Sequence, residues 1–323
     1  VLMYYNDVLL CYGIGAEELK QVYTEKFEKN IKFSILAPLY NTPEKYLKDM
    51  MDSVISQTYG NWELCLADGS DDGHSDVGCI CLEYAAKDQR IRYKKLETNR
   101  GISGNTNACI EMSTGDYIAL FDHDDLLHPA ALHDVMQAIC EKNADFVYTD
   151  ETTFQGSVDN AFHTHFKPDY SPDTLRSYNY ICHLSVFSRS LLERIGGFFR
   201  PEFDGSQDYD IILRLTEQAE NVVHIPKILY YWRSHSGSVA SGASAKPYVL
   251  DAGKRALSQH LERMGYPGQV THGEIPTTFR IIYEIEKKPL VSILIPNRGG
   301  ISALKNCVDS IRDKTSYPNW EIL

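Results

Sequence analysis

Between Phe33 and Phe121 the chain alternates short apolar runs with stretches whose apolar positions recur at helical spacing. "FSILAPLYN", broken by Pro38, reads as a buried first strand. Thr42 and Pro43 predict an N-cap and a first-turn proline, and Leu47, Met51, Val54 and Ile55 then mark one face of a helix that ends by Gly60. "NWELCLADGSDDG" is a second strand with carboxylates and glycines at its carboxyl end. "IRYKKLETNRG" gives a third strand, a helix follows from about Gly104 to Ser113, Gly115 and Asp116 turn the chain, and Tyr117–Phe121 is a fourth strand. Such alternation predicts a parallel α/β sheet with helices on both faces. Upstream, Glu17 to Lys29 is polar and reads as a helical lead-in.

Open parallel sheets bind ligands beyond the carboxyl ends of their strands. Here those ends carry Pro38, Tyr40 and Asn41; Asp68, Ser70 and Asp71; Asn99, Arg100 and Gly101; and Asp122, His123, Asp124 and Asp125. The last cluster is the sharpest. Carboxylates crowded at the edge of a core repel one another and lose hydration, so they imply a compensating cation or a tight hydrogen-bond net. The segment "YIALFDHDDLLHP" is therefore either a divalent-metal site or a capped turn.

Composition narrows the classes. At 43% hydrophobic and 24% charged residues, the 323-residue chain is ordinary globular protein, long enough for one large core or two modest ones. A formal charge of -12 with no Lys/Arg run argues against nucleic acid as a partner. A negative chain that handles phosphates needs a local metal or local arginines. The eight cysteines have no regular spacing apart from Cys79 and Cys81, which fits free thiols in a reducing, cytoplasmic compartment. No signal-peptide pattern opens the chain and no apolar run approaches the roughly 18 residues a membrane span requires. Membrane contact, at the inner face, is expected only peripherally or through sequence not present here.

An internal repeat organises the ends. "FSILAPLYN" and "DSVISQTYGNWELC" are echoed by "VSILIPNRG" and "DSIRDKTSYPNWEIL"; Pro38 matches Pro296 and Trp62 matches Trp320 at one offset, while the Asp52–Ser53 and Asp309–Ser310 pairs are slipped by one. Residues 286–323 are thus expected to open a second α/β domain, truncated after its first strand and helix, behind a lead-in over 1–31 and a main domain over 32–285.

The ordered set "SILAPLYN", "LADGSDDG", "NRGISGNTN", "DHDD", "GGF" with "GSQDYD", and "YYWRSHSGS" resembles the family 2 glycosyltransferases of GT-A fold, which transfer sugar from a nucleotide-sugar donor with inversion. The resemblance covers about Lys32 to Ala240 and resumes near Pro289. "FKPDYSPDTLRSYNYICHLSVFSRSLLERIGGF" further resembles the subgroup that builds bacterial capsule, lipopolysaccharide or rhamnose-containing wall polysaccharides. It implies a mostly parallel, Rossmann-like sheet, with a nucleotide-binding half over 32–130, an acceptor half over 131–250 and a connecting segment over 251–285. The partners implied are a nucleotide-sugar donor and a glycan or lipid-linked acceptor, and the enzyme a hexosyl- or deoxyhexosyltransferase.

A departing nucleoside diphosphate gains negative charge that a divalent cation can stabilise. By resemblance, Asp124 and Asp122 with His235 hold Mn²⁺ or Mg²⁺, an imidazole tilting the choice to Mn²⁺. Asp125 reads equally as a helix cap. The donor side is expected to include Pro38, Tyr40, Asn41, Asp68, Ser70, Asn99, Arg100, Gly101, Asp122 and His123. Asp68 can accept from a pyrimidine imide N–H, which points to UDP- or dTDP-sugars, although Asp68, Ser70 and Asp71 also read as an Asx-turn. On the acceptor side the resemblance makes Asp208 the base, with Gln207, Gly196, Gly197 and Trp232 beside it; Gly196 equally reads as a helix C-cap. Tyr230 and Tyr231, like Trp232, can stack on a sugar or pack in the core. Asp210 is expected to pair with Arg214 at i+4. His163 and His165 stand at strand spacing with no evident acidic partner. Two departures stand out: Gln207 where the family has Glu, and Thr106 where it often has Arg. They keep open a silent binding domain. A sugar-phosphate nucleotidyltransferase would need a Gly-rich, Arg-bearing loop after the first strand, which "APLYNTPEK" lacks.

Overall fold

The structure, a computed structural model, describes residues 27–235 and 247–323. Most of the expected lead-in helix and Ser236–Ser238 of the "WRSHSGS" motif lie outside the described residues. The first half follows the alternation: β1 (Phe33–Leu39), α1 (Glu44–Ile55), β2 (Trp62–Asp68), α2 (Ser75–Lys87), β3 (Ile91–Lys95), α3 (Gly101–Met112) and β4 (Tyr117–Leu120). β1 pairs in parallel with β2 and with β4, and β2 with β3. Every residue of β2 is buried, which is why it reads as an unbroken apolar run rather than an alternating one. Two boundaries differ from expectation. α1 starts at Glu44 with Pro43 in the cap position and no side-chain cap; Thr42 Oγ1 is instead buried without a hydrogen-bond partner among the described residues. α3 starts at Gly101, whose φ of +74° only glycine adopts at little cost.

The second half adds β5 (Leu126–Leu127), α4 (Ala131–Lys142), β6 (Phe146–Gln155), β7 (Ser157–His165), α5 (Pro172–Leu175), β8 (Ser185–Ser188), α6 (Arg189–Arg194), α7 (Gln207–Gln218), β9 (Val222–Arg233) and α8 (Pro247–Met264). The strands join one nine-stranded sheet of order β3-β2-β1-β4-β8-β6-β9-β5, with β7 paired to β6. β8 is antiparallel to both neighbours, β6 and β9 run parallel, and β5 and β7 are antiparallel additions. The sheet is therefore mixed but mostly parallel. One core cluster packs α1, α2 and α4 on one face and the other packs α3, α6, α7 and α8 on the opposite face, so the helices cover both sides as expected.

After β10 (Gly268–His272), the chain divides between Ile281 and Ile282, within β11 (Phe279–Tyr283) and a few residues before the expected break. The smaller unit holds β12 (Val291–Ile293), α9 (Ile301–Lys314) and β13 (Trp320–Ile322), with its strands parallel. The repeat extends to individual hydrogen bonds. Val291 pairs with Trp320 as Phe33 pairs with Trp62. Ser34 Oγ donates to Glu63 Oε1 at 2.7 Å and Ser292 Oγ to Glu321 Oε1 at 2.7 Å. Tyr59 Oη donates to the Ile31 carbonyl at 2.6 Å, and Tyr317 Oη to that of Pro289 at 2.6 Å. Asn41 and Gly299, equivalent in the repeat, both have positive φ, 51° and 80°.

Candidate active site

The loops beyond β1 to β4 are tied to one another by side chains from the expected donor set. Asn41, held at positive φ, donates its N–H to Ser70 Oγ at 2.8 Å and its amide to Asp71 Oδ2 at 2.8 Å, while Asp71 N–H returns a bond to Asn41 Oδ1 at 3.1 Å. Asp68 is fully buried at the end of β2. Its Oδ1 accepts from Ser70 N–H at 2.8 Å, and its Oδ2 accepts from Tyr93 Oη at 2.8 Å and Lys95 Nζ at 3.2 Å. Burial alone would raise its pKa, but the bonds from Ser70, Tyr93 and Lys95 outweigh it and leave the carboxyl below its usual range. The expected Asx-turn therefore exists. The Ser70 side chain adds a further hydrogen bond to this carboxyl. Gly78 leaves room for the Tyr93 bond, since a Cβ there would lie 2.6 Å from Tyr93 Oη. Pro38 stands on β1 in register with Ala67, and Tyr40, 46% exposed, offers a ring face beside it.

Asn99 closes the third loop by accepting from Gly101 N–H at 3.1 Å and Asn105 Nδ2 at 3.0 Å. The Arg100 side chain is exposed. Asp204, from the turn before α7, reaches this loop: Ser103 N–H donates to its Oδ1 at 3.3 Å, and its Oδ2 lies 2.6 Å from where a Gly101 Cβ would stand. One carboxylate thus joins the third loop to the turn that carries Asp208.

The four-residue acidic cluster separates into distinct roles. Asp125 is fully buried and accepts from Tyr230 Oη at 2.6 Å and Arg233 N–H at 2.7 Å. It is neither the helix cap nor a free ligand but a pin between the loop and β9. Burial first, then the charges of Asp122 and Asp124, push its pKa well up. Arg233, 2% exposed, donates from Nε to the Asp124 carbonyl at 2.6 Å and from NH2 to Asp49 Oδ2 at 3.2 Å, its guanidinium packed between Tyr46 and Phe154. With the backbone fixed so, Asp124 Oδ2 meets His235 Nε2 at 2.8 Å. Asp122 does not join them. Its Oδ2 faces His183 Nε2 at 3.5 Å, and among the described residues no group of three His, Cys, Asp or Glu converges to hold a metal. Of the three residues expected at a metal, Asp124 and His235 thus meet directly, while Asp122 lies towards His183. A carboxylate and an imidazole are donor types that suit a divalent cation such as Mn²⁺. His123 turns a buried Nδ1 inward that has no partner among the described residues.

Asp208 opens α7, where the helix dipole favours negative charge. Its half-buried carboxyl is nevertheless raised to about 6, because desolvation and Asp122 outweigh His183 and the bond that Gln207 Nε2 donates at 3.2 Å. Gln207 is itself 7% exposed and accepts from Gly205 N–H at 2.8 Å, so it braces the turn and the base rather than facing an acceptor. Gly196 and Gly197, with φ of 91° and 89°, end α6 through bonds from their N–H groups to the Glu193 and Leu192 carbonyls. These bonds fit the helix-end reading made for Gly196 and add Gly197 to it, and no described contact ties either glycine to Asp208. Asp210 pairs with Arg214 as expected and also takes Arg200. Tyr230 is core and pin, whereas Trp232 stays half-buried near the His183 ring.

Three contributors escaped sequence reading. Arg233 lies inside the "WRSHSGS" motif but is read there only as a neighbour of His235. His183 comes from the middle of the chain. The Glu151–Lys167 pair meets only because β6 and β7 are antiparallel; the same register gives His165 an acidic partner, Glu151 Oε1 at 3.3 Å, which its sequence neighbourhood lacks.

A mostly parallel sheet with helices on both faces and polar loops gathered at one edge is the architecture of the GT-A fold. Residues 34–196 match the model described as glycosyl transferase family 2, and the chain belongs to that family. It is 43% identical over 295 residues, 90% of this chain and 32% of the relative, to the uncharacterized protein y4gI of Sinorhizobium fredii. It is 34% identical to the O-antigen biosynthesis protein RfbC of Myxococcus xanthus over 90% of this chain and 22% of that protein. The chain thus spans about a third or less of these curated relatives. Among solved structures, S. aureus TarS 1–349 in complex with UDP-GlcNAc matches with a TM-score of 0.59 at 20% identity, covering 72% of this chain and 66% of that one. That likeness shows the fold. No helix among the described residues is long and apolar enough to cross a membrane.

Proposed function

We propose that this domain transfers a sugar, with inversion, from a UDP- or dTDP-sugar to a hydroxyl of a growing bacterial polysaccharide or its lipid-linked precursor. The observation that carries the reading is a carboxyl raised to about 6, Asp208, within the electrostatic reach of Asp122, next to the carboxylate–imidazole pair Asp124–His235; Asp68, buried at the end of β2, is read as the acceptor for a pyrimidine N–H. The relatives' names support the polysaccharide context: O-antigen biosynthesis for RfbC, and chondroitin synthase for an Escherichia coli protein 28% identical over 72% of this chain. TarS binds UDP and UDP-GlcNAc in its complexes, which favours a uridine donor.

In this reading Tyr40 stacks on the base, Asp68 accepts the imide N–H, and Arg100 at the mouth of the third loop meets the diphosphate. Asp124 and His235 hold a divalent cation, which when bound stabilises charge on the leaving diphosphate. Asp208 accepts the acceptor hydroxyl proton as that oxygen attacks the anomeric carbon opposite the leaving group. A pKa near 6 keeps the base ionised at neutral pH yet basic enough to work. Gln207, neutral where a carboxylate is usual, donates a hydrogen bond to Asp208 instead of repelling it, so the departure is compatible with a working base. We also read residues 282–323 as the opening β–α–β of a second copy, on the hydrogen bonds that recur at one offset.

Incubating the protein with a panel of UDP- and dTDP-sugars and polysaccharide acceptors, and following nucleotide release and product linkage, tests the reading. An inverted glycoside formed from one donor supports it; nucleotide binding with no release from any donor would instead favour a silent binding domain.

A further inference from the structure

The segment 181–183 enters the site between its donor and acceptor sides, and an unusual amount of buried charge is spent on holding it. Lys167, with a fully buried ammonium, donates to Glu151 Oε2 at 3.1 Å, to the Ile181 carbonyl at 2.5 Å and to the His183 carbonyl. All three of its N–H groups are thereby used. Glu151 accepts in turn from His183 N–H at 3.3 Å. The ring so presented lies flat on Tyr230, centroids 4.7 Å apart and planes 13° from parallel, with its edge to Trp232 at 6.2 Å. Its Nε2 faces Asp122 Oδ2 at 3.5 Å. Its Nδ1 is buried and has no hydrogen-bond partner among the described residues.

That last feature separates packing from function. A ring wanted only to fill space against Tyr230 is better supplied by phenylalanine, which buries no unpaired nitrogen. A histidine kept there at a folding cost is kept for its other nitrogen, in the way that local conflicts with folding gather at working sites. We propose that His183 is a positioning residue of the transfer site, fixing Asp122 on the donor side relative to Asp208 on the acceptor side, and that the buried Glu151–Lys167 pair holds it in place. This rests on the glycosyl-transfer reading above. The charge of His183 also acts on Asp208, opposing the rise caused by burial.

The test compares His183→Phe, which keeps the ring and its stacking, with His183→Gln, whose amide nitrogen stands where Nε2 does. Turnover is measured on the sugar nucleotide that the wild-type chain uses, UDP affinity with Mn²⁺ by calorimetry, and folding by thermal melting. His183→Phe should lower kcat at least tenfold, leave donor KM and UDP affinity within threefold, and melt at or above the wild-type temperature; His183→Gln should recover most of the lost rate. Loss of rate together with loss of stability in the Phe variant, or a Gln variant no better than Phe, would overturn the assignment, because a structural role predicts both. The double variant Glu151→Gln/Lys167→Met, which removes both buried charges together, should also lose rate, and adding His183→Phe to it should cost little more, since residues acting through one another are not additive. Wild-type turnover in the double variant, or fully multiplicative losses, would remove the pair from the proposal. A wild-type chain that turns over no sugar nucleotide overturns the function reading and this inference with it, whereas normal turnover in both a working wild type and His183→Phe overturns this inference alone.

Discussion

Replacing Asp208 by asparagine should separate the folding cost of the base from its use. In the folded chain burial and Asp122 raise this carboxyl from 3.8 to about 6. A folded-state pKa above the unfolded one means that the folded protein binds the proton more tightly, so the group favours folding below about pH 4 and that contribution is lost as pH rises through 6. Above pH 7 the ionised carboxylate opposes folding by roughly two units times 1.4 kcal/mol, about 3 kcal/mol at most, and water at this half-buried side chain reduces it to about 1–3 kcal/mol. Asp208→Asn should therefore be more stable than wild type by about 1–3 kcal/mol at pH 8 and should converge with it near pH 4, as read from urea unfolding across that range. Transfer should fall by about 10²–10⁴-fold, the usual share of a general base. Wild-type kcat should decline tenfold per pH unit below about 6, and the variant's residual rate should lack that limb. An Asn variant that is less stable at pH 8, or that keeps wild-type transfer, would refute the reasoning, because the carboxylate would then be a helix-end brace.

Other outcomes follow from the same geometry. Arg233→Lys loses the Nε bond to the Asp124 carbonyl and the packing between Tyr46 and Phe154, and should cost about 2 kcal/mol or more by urea unfolding while weakening metal-dependent UDP binding. Gly101→Ala forces a side chain into positive φ with its Cβ 2.6 Å from Asp204 Oδ2, so about 1–2 kcal/mol of stability and much of the nucleotide affinity should go. Tyr93→Phe removes one hydrogen bond to Asp68 and should cost about 1 kcal/mol, with a measurable loss of discrimination between UDP and CDP in binding.

The parallel half of the fold was legible because β1, β2 and β4 are apolar runs ending in polar residues, whereas their order was not: β4 crosses back to pair with β1, which no local pattern announces. The donor loops were legible for the same reason: the ends of parallel strands lie on one edge whatever the details of packing. What the sequence could not convey was which carboxylate does what within "DHDD". That division depends on Tyr230 and Arg233, brought from more than a hundred residues away by β9. Asp122 looks the same as Asp124 in sequence, yet one meets His183 and the other His235. The glycines after α6 were ambiguous because a positive φ serves a helix end and a close ligand approach equally, and here the hydrogen bonds of the helix end account for both. His165 lacked an acidic partner only along the chain; across the β6–β7 register it has Glu151.

Calorimetric titration of UDP, dTDP, GDP and CDP into the protein, with and without Mn²⁺ and repeated on Asp124→Ala, tests the central claim most directly. UDP or dTDP should bind with Mn²⁺ present, more weakly without it, and the metal-dependent part should vanish in the variant while GDP and CDP bind poorly throughout. If no nucleotide binds the wild-type protein with metal present, or Asp124→Ala binds UDP as wild type does, the cluster at 122–125 is a structural turn and the chain keeps the fold of the family without its donor site.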